Sequence, residues 1–142
     1  MTPEEVSLAV ATRMKRREVL HEQNAPEVWV VLNEVALHQV VGSSDIMCKQ
    51  LEHLLMLIRT QPNVRIQVLP LTDSAHAPAA PMAVLEVPGL GHVARLDAPD
   101  GGRTTADARA VKRCREWFDV LRSQAVSLAE SARLVEKRLE QL

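Results

Sequence analysis

The stretch that most constrains this chain runs from Gln61 to Leu71 and reads Gln-Pro-Asn-Val-Arg-Ile-Gln-Val-Leu-Pro-Leu. Pro62 bars the right-handed helical region for the residue before it, and Asn63 favours turns, so any preceding helix must stop here. Val64, Ile66 and Val68 then alternate with Arg65, Gln67 and Leu69, the period of a β-strand with one buried face. Pro70 ends the ladder. Residues 70–81 follow without periodicity, rich in Pro and Ala and carrying His76. A loop of that length in a compact domain is more often functional or mobile than decorative.

A single strand needs neighbours, and three further runs supply them. Val28-Trp29-Val30-Val31-Leu32 is apolar without alternation, as expected for a strand covered on both faces. Met82 to Val87 and His92 to Leu96 read as strands around the turn Pro88-Gly89-Leu90-Gly91. Two hairpins in succession predict a meander of 64–69, 82–87 and 92–96. With strand 28–32 this makes a mixed sheet of about four strands.

About five helices pack on it. Thr2-Pro3-Glu4-Glu5 is a capping box that opens the first, whose stripe is Val6, Val10, Met14 and Leu20. The basic run Arg13, Lys15, Arg16 and Arg17 reads as a solvated face near that helix's C-terminus. Asn33 can cap a short helix containing Glu34, Leu37 and His38, which Gly42 ends. Ser43, Ser44 and Asp45 offer the next cap, and Met47, Leu51, Leu54, Leu55 and Ile58 form its core stripe. Thr104 and Asp107 suit a capping box before Ala110, Val111, Cys114, Trp117, Phe118 and Leu121. Ser127 and Glu130 begin the last helix, with Leu128, Val135, Leu139 and Leu142 at core-like spacing. The class is α/β (α+β), one domain over residues 1–142.

At 142 residues such a domain buries roughly 68% of its unfolded surface, enough for a core without metal or disulfide staples. The 17 basic and 18 acidic side chains give a net charge of -1, and no field for a polyanion results. Trp29, Trp117 and Phe118 are the whole aromatic complement, which argues against stacking platforms for single-stranded nucleic acid. No apolar run approaches the ~20 residues of a membrane span, and the N-terminus is unlike a signal peptide. Cys48 and Cys114, both in helical stretches, suit a reduced setting. A cytoplasmic protein that touches neither membrane nor nucleic acid directly is expected.

Recognisable catalytic signatures are missing: there is no P-loop, dinucleotide turn, nucleophile elbow or zinc-protease helix. Glu34 with His38, and Cys48 with Glu52, each offer two ligands where a metal needs three or four, so neither metal nor cofactor is predicted. His76 lies beside Asp73 and Ser74, where an imidazole can act as acid, base or ligand. His92, Ala94 and Leu96 share one face of their strand, and Val93, Arg95 and Asp97 the other. Glu86 can pair with His92 or Arg95 across the hairpin. The plainer readings are an exposed loop histidine, a helical Glu–His pair and a surface ion pair of little energy.

The chain as a whole resembles the C-terminal domain of unknown function of actinobacterial Xre-type helix-turn-helix transcriptional regulators. Its matching residues are Arg16-Arg17 with Leu20, Leu32 to Leu37 followed by Gly42, Gln50-Leu51 with Leu54, and Pro62 to Pro70. Trp117-Phe118, Leu121, Ala125, Leu128-Ala129 and Ser131 complete the match. The resemblance implies a sensing or partner-binding module, here without the helix-turn-helix. The segment Asp73-Ser74-Ala75-His76 lacks the family's usual Gly before His. The strands beyond it hold Met82, Val84, His92, Ala94 and Asp97 in place of the usual aromatics and Glu.

Two functions follow. The first is a binding module for a small molecule, a small protein partner or a second copy as homodimer, with Arg95, Trp29, Met82, Glu86 and His38 lining its site. The alternative is a cofactor-free enzyme recruited for cyclisation, isomerisation or dehydration of a biosynthetic metabolite, with His76, His92, Glu34 and Asp97 as its acid–base groups.

Overall fold

The structure, a computed structural model, describes residues 2–72 and 81–142. In chain order the elements are α1 (Pro3–Glu18), a 3-10 turn (Val19–His21), β1 (Val28–Asn33), α2 (Val35–His38), α3 (Ser44–Thr60) and β2 (Val64–Leu69). They continue with β3 (Met82–Val87), β4 (Gly91–Leu96), β5 (Arg103–Thr105), α4 (Ala108–Gln124) and α5 (Leu128–Leu139).

The strands form two sheets, not one of four strands. β1 and β2 pair in parallel, Val28 opposite Val64 through Asn33 opposite Leu69. Parallel strands need a crossover, which α2 and α3 supply. β3, β4 and β5 form a separate antiparallel sheet in that order. The expected meander therefore fails at its first step, because β2 joins β1 and not β3. The hairpin Met82–Leu96 forms, with Glu86 opposite His92 and not Arg95, and β5, which was not expected as a strand, extends it.

β2 is enclosed on both faces. Val64, Ile66 and Val68 are buried, and so are Gln67 and Leu69 on the face expected to meet solvent. Val68 lies with Leu37, Leu51, Leu55 and Val135 in a core built from β2, α2, α3 and α5. On the other face Gln67 Oε1 accepts from Trp29 Nε1 at 2.8 Å, and its Nε2 donates to the Val126 carbonyl at 2.9 Å. Both ends of this buried amide are thereby satisfied.

The outer edge of β2 is closed by the α4–α5 junction. Val68 N–H donates to Ser131 Oγ at 2.9 Å, and Val126 N–H donates to the Val68 carbonyl at 3.0 Å. Asn63 ties the start of the sheet to the incoming chain, its Nδ2 donating to the Pro26 carbonyl at 3.1 Å. A second, smaller core of Ala94, Val111 and Cys114, with Met82, Val84 and Leu96 packed against it, joins β3 and β4 to α4.

Most helix caps agree with the reading of the residues. On α2 the N-cap position is Glu34, with no side-chain cap bond, while Asn33 Oδ1 accepts from Val35 N–H at 3.0 Å, and the helix ends at His38 before Gly42. Thr2 and Glu5 form the reciprocal box of α1, and Ser43 and Ser127 cap α3 and α5. Asp107 caps α4 by accepting from Ala110 N–H, while Thr104 lies in β5. The stripe on α1 meets no core, since Val6, Val10 and Met14 are all exposed. Leu128 and Trp117, read as core positions, are exposed too. Among the described residues no helix is long and apolar enough to cross a membrane.

Candidate functional site

The hairpin of β3 and β4 sets Glu86 directly opposite His92. In an antiparallel pair such partners have Cβ atoms about 4.5–5.5 Å apart and lean to the same face. That face also carries Val84 and, further along, Met82, Ala94 and Leu96, which pack on α4. The hairpin outruns this apolar contact at its turn end, so Glu86 and His92 overhang the middle of α4. Arg115, Phe118 and Asp119 come up from the helix, and Glu27 from the residue before β1. Together these side chains line a cleft of about 280 Å³.

Charge in the cleft divides into occupied and unoccupied groups. Glu27 is paired with Arg65, and Asp119 with Arg122 at 3.3 Å. Arg122 also lies over the Trp29 ring, 4.6 Å from its centroid, and Arg65 approaches the same ring at 5.6 Å. Trp29 is thus held by two cations and by Gln67, beside the cleft but outside its lining. Glu86, His92 and Arg115, by contrast, have no side-chain hydrogen bond or ion pair among the described residues. All three are exposed, whereas Val84 and Phe118 are half-buried. One carboxylate, one imidazole and one guanidinium therefore converge over an apolar floor with their hydrogen-bonding capacity unspent.

The other residues singled out from the sequence lie elsewhere. Glu34 Oε2 accepts from Leu71 N–H at 2.9 Å, and its Oε1 stands 3.5 Å from His38 Nε2, so this pair anchors the chain as it leaves β2. Arg95 donates from Nε to Asp97 Oδ1 at 3.0 Å and from Nη2 to the Gly101 carbonyl at 3.0 Å. Arg95 and Asp97 thereby brace the turn between β4 and β5, away from the cleft. Met82 packs on the smaller core. His76 lies outside the described residues. Of the sequence candidates among the described residues, Glu86 and His92 line the cleft, while Glu34 with His38 and Arg95 with Asp97 pair outside it.

Glu27, Arg115 and Asp119 were not singled out, and Phe118 was read only as a core position. The spacing of Arg115, Phe118 and Asp119 (i, i+3, i+4) does mark one helical face. Nothing local tells that this face meets the hairpin. Cys48 and Cys114 are free thiols, and no three His, Cys, Asp or Glu residues converge as metal ligands among the described residues.

No curated protein and no solved structure matches the chain. A family model described as "Domain of unknown function (DUF5753)" matches residues 1–137, and the chain belongs to that family.

Proposed function

We propose that this protein is a binding module, related to the effector domain of actinobacterial Xre-type regulators, that takes a small zwitterionic ligand in the cleft between the β3–β4 hairpin and α4. One observation carries the reading: Glu86, His92 and Arg115 are unpaired and face one another over Val84 and Phe118. A ligand with an anionic end fits Arg115, and one with a cationic or donor end fits Glu86. A space of about 280 Å³ suits a metabolite smaller than the drug-sized occupants of typical pockets. The even charge balance supports a role apart from direct DNA contact.

Amide chemical-shift titration with amino acids and short zwitterionic metabolites tests this. A ligand should shift residues 84–86, 92 and 115–119. Arg115→Ala or Glu86→Gln should weaken it about tenfold or more, each losing a charge-assisted hydrogen bond. Asp97→Asn should leave the affinity unchanged. A panel that shifts none of the cleft resonances would sink the proposal.

A second reading, cofactor-free acid–base catalysis, is favoured by the Glu86–His92 juxtaposition. The exposure of both groups weighs against it, since proton transfer to a metabolite gains from excluded water. Turnover lost in His92→Ala, with ligand binding retained, would support the enzyme over the binding module.

A further inference from the structure

Val28 N–H donates to the Asn63 carbonyl at 2.8 Å, and Glu34 N–H to the Leu69 carbonyl at 2.9 Å. In a strand the N–H and C=O of one residue point the same way and those of the next residue the opposite way. The even-numbered residues of β1 therefore face β2. Trp29, Val31 and Asn33 turn their N–H and C=O groups outward, and among the described residues no backbone or side-chain group meets them. The equivalent edge of β2 is capped at Val64 N–H by Gln61 and at Val68 by Val126 and Ser131.

The side chains record the same asymmetry. In β2, Ile66 and Val68 are 4% and 0% exposed, whereas Val30, Val31 and Leu32 beside them are only half-buried. Val35, Val40 and Val41, which follow the strand in sequence, are exposed. Edge strands are ordinarily protected by charges, prolines or bulges, and Val-Trp-Val-Val-Leu-Asn contains none.

We infer that β1 is a dimerisation edge, and that its occupant is β1 of a second copy, antiparallel about a two-fold axis at Val31. In that register Trp29 faces Asn33, Val31 faces its own counterpart, and Val30 faces Leu32. Every outward N–H of one chain then meets an outward C=O of the other, with none left over. The strands would extend both sheets into one of order β2–β1–β1–β2. Glu34 comes opposite Val28, so no like charges are set against each other, as isologous pairing requires. None of the residues that line the cleft lies in β1, so the proposal does not rest on a ligand there.

Sedimentation equilibrium on the full chain should find a species of twice 15.8 kDa that dissociates on dilution. Val31→Pro removes an N–H that β1 does not use toward β2, so the fold should persist while the dimer weakens at least about tenfold. Amide exchange on the unmutated chain supplies a readout free of folding effects. Trp29, Val31 and Asn33 should be protected at high concentration and exchange freely when dilute. A chain monomeric at millimolar concentration would overturn self-pairing and leave the edge to a strand of another protein. A dimer in which these three amides still exchange freely would overturn it as well, placing the contact elsewhere, such as on α1.

Discussion

At the scale of single residues, a few side chains decide local structure that no amount of apolar packing could replace. Ser131 is fully buried, and its Oγ accepts from Val68 N–H while donating to the Ser127 carbonyl at 2.8 Å. Ser131→Ala leaves a buried N–H without a partner. It should lower stability by about 1–3 kcal/mol, measured by urea unfolding. Gly102 has φ +66°, and a Cβ there would stand 2.4 Å from the Leu96 carbonyl oxygen. Because that obstacle is backbone, the β4–β5 turn would have to shift. Gly102→Ala should therefore destabilise the protein by about 1–3 kcal/mol in thermal unfolding, and Arg95 should lose its bond to the Gly101 carbonyl.

At the scale of elements, helices of similar length do unequal work. α3 is 17 residues long and buries Met47, Leu51 and Leu55; α1 is 16 residues long and buries none. Both carry a good cap, so capping and propensity do not separate them. Leu51→Ala should cost about 2–5 kcal/mol through lost burial and the cavity left behind. Val10→Ala should change stability by no more than about 0.5 kcal/mol, as at an ordinary surface position. Equal losses from the two in chemical denaturation would mean that α1 is packed in solution. The hairpin is the element whose sequence was most informative. The turn Pro88-Gly89-Leu90-Gly91 made the hairpin legible but left Glu86 open to His92 or Arg95, and only the structure sets it opposite His92.

At the scale of the whole molecule, α4 links the hairpin sheet to the parallel one, and the two are packed around unequal cores. Val111 and Cys114 face β3 and β4, while further along Arg122 reaches Trp29 on β1. The core around Val68 and Val135 is the larger, and the hairpin sheet rests on α4 through a handful of residues. Local opening follows the density of buried contacts. Native-state hydrogen exchange should accordingly find β3–β5 amides opening at lower free energy than those of β2, α3 and α5. A single opening energy across all of them would show one cooperative unit instead. The cleft lies where the hairpin overhangs α4, so ligand binding there should raise protection in β3–β5 before it affects β2.

What the amino-acid order determined by itself was everything carried by neighbours in sequence. Alternation between Val64 and Leu69, the stops at Pro62 and Pro70, the helix caps and the 82–96 hairpin all depend on contacts within a few residues. The tertiary structure alone decided which strands pair. A parallel partner 36 positions away leaves no local trace, so β2 joining β1 was invisible where the adjacent hairpin was plain. It also decided that the alternating strand is buried on both faces, because Trp29 and the α4–α5 junction cover Gln67 where solvent was expected. The candidate site shows both contributions. A cross-hairpin pair of Glu86 with His92 or Arg95 was legible, whereas Glu27, Arg115 and Asp119 reach Glu86 and His92 only because α4 lies across both sheets. Alternation reports that a strand has faces; only packing reports what covers them.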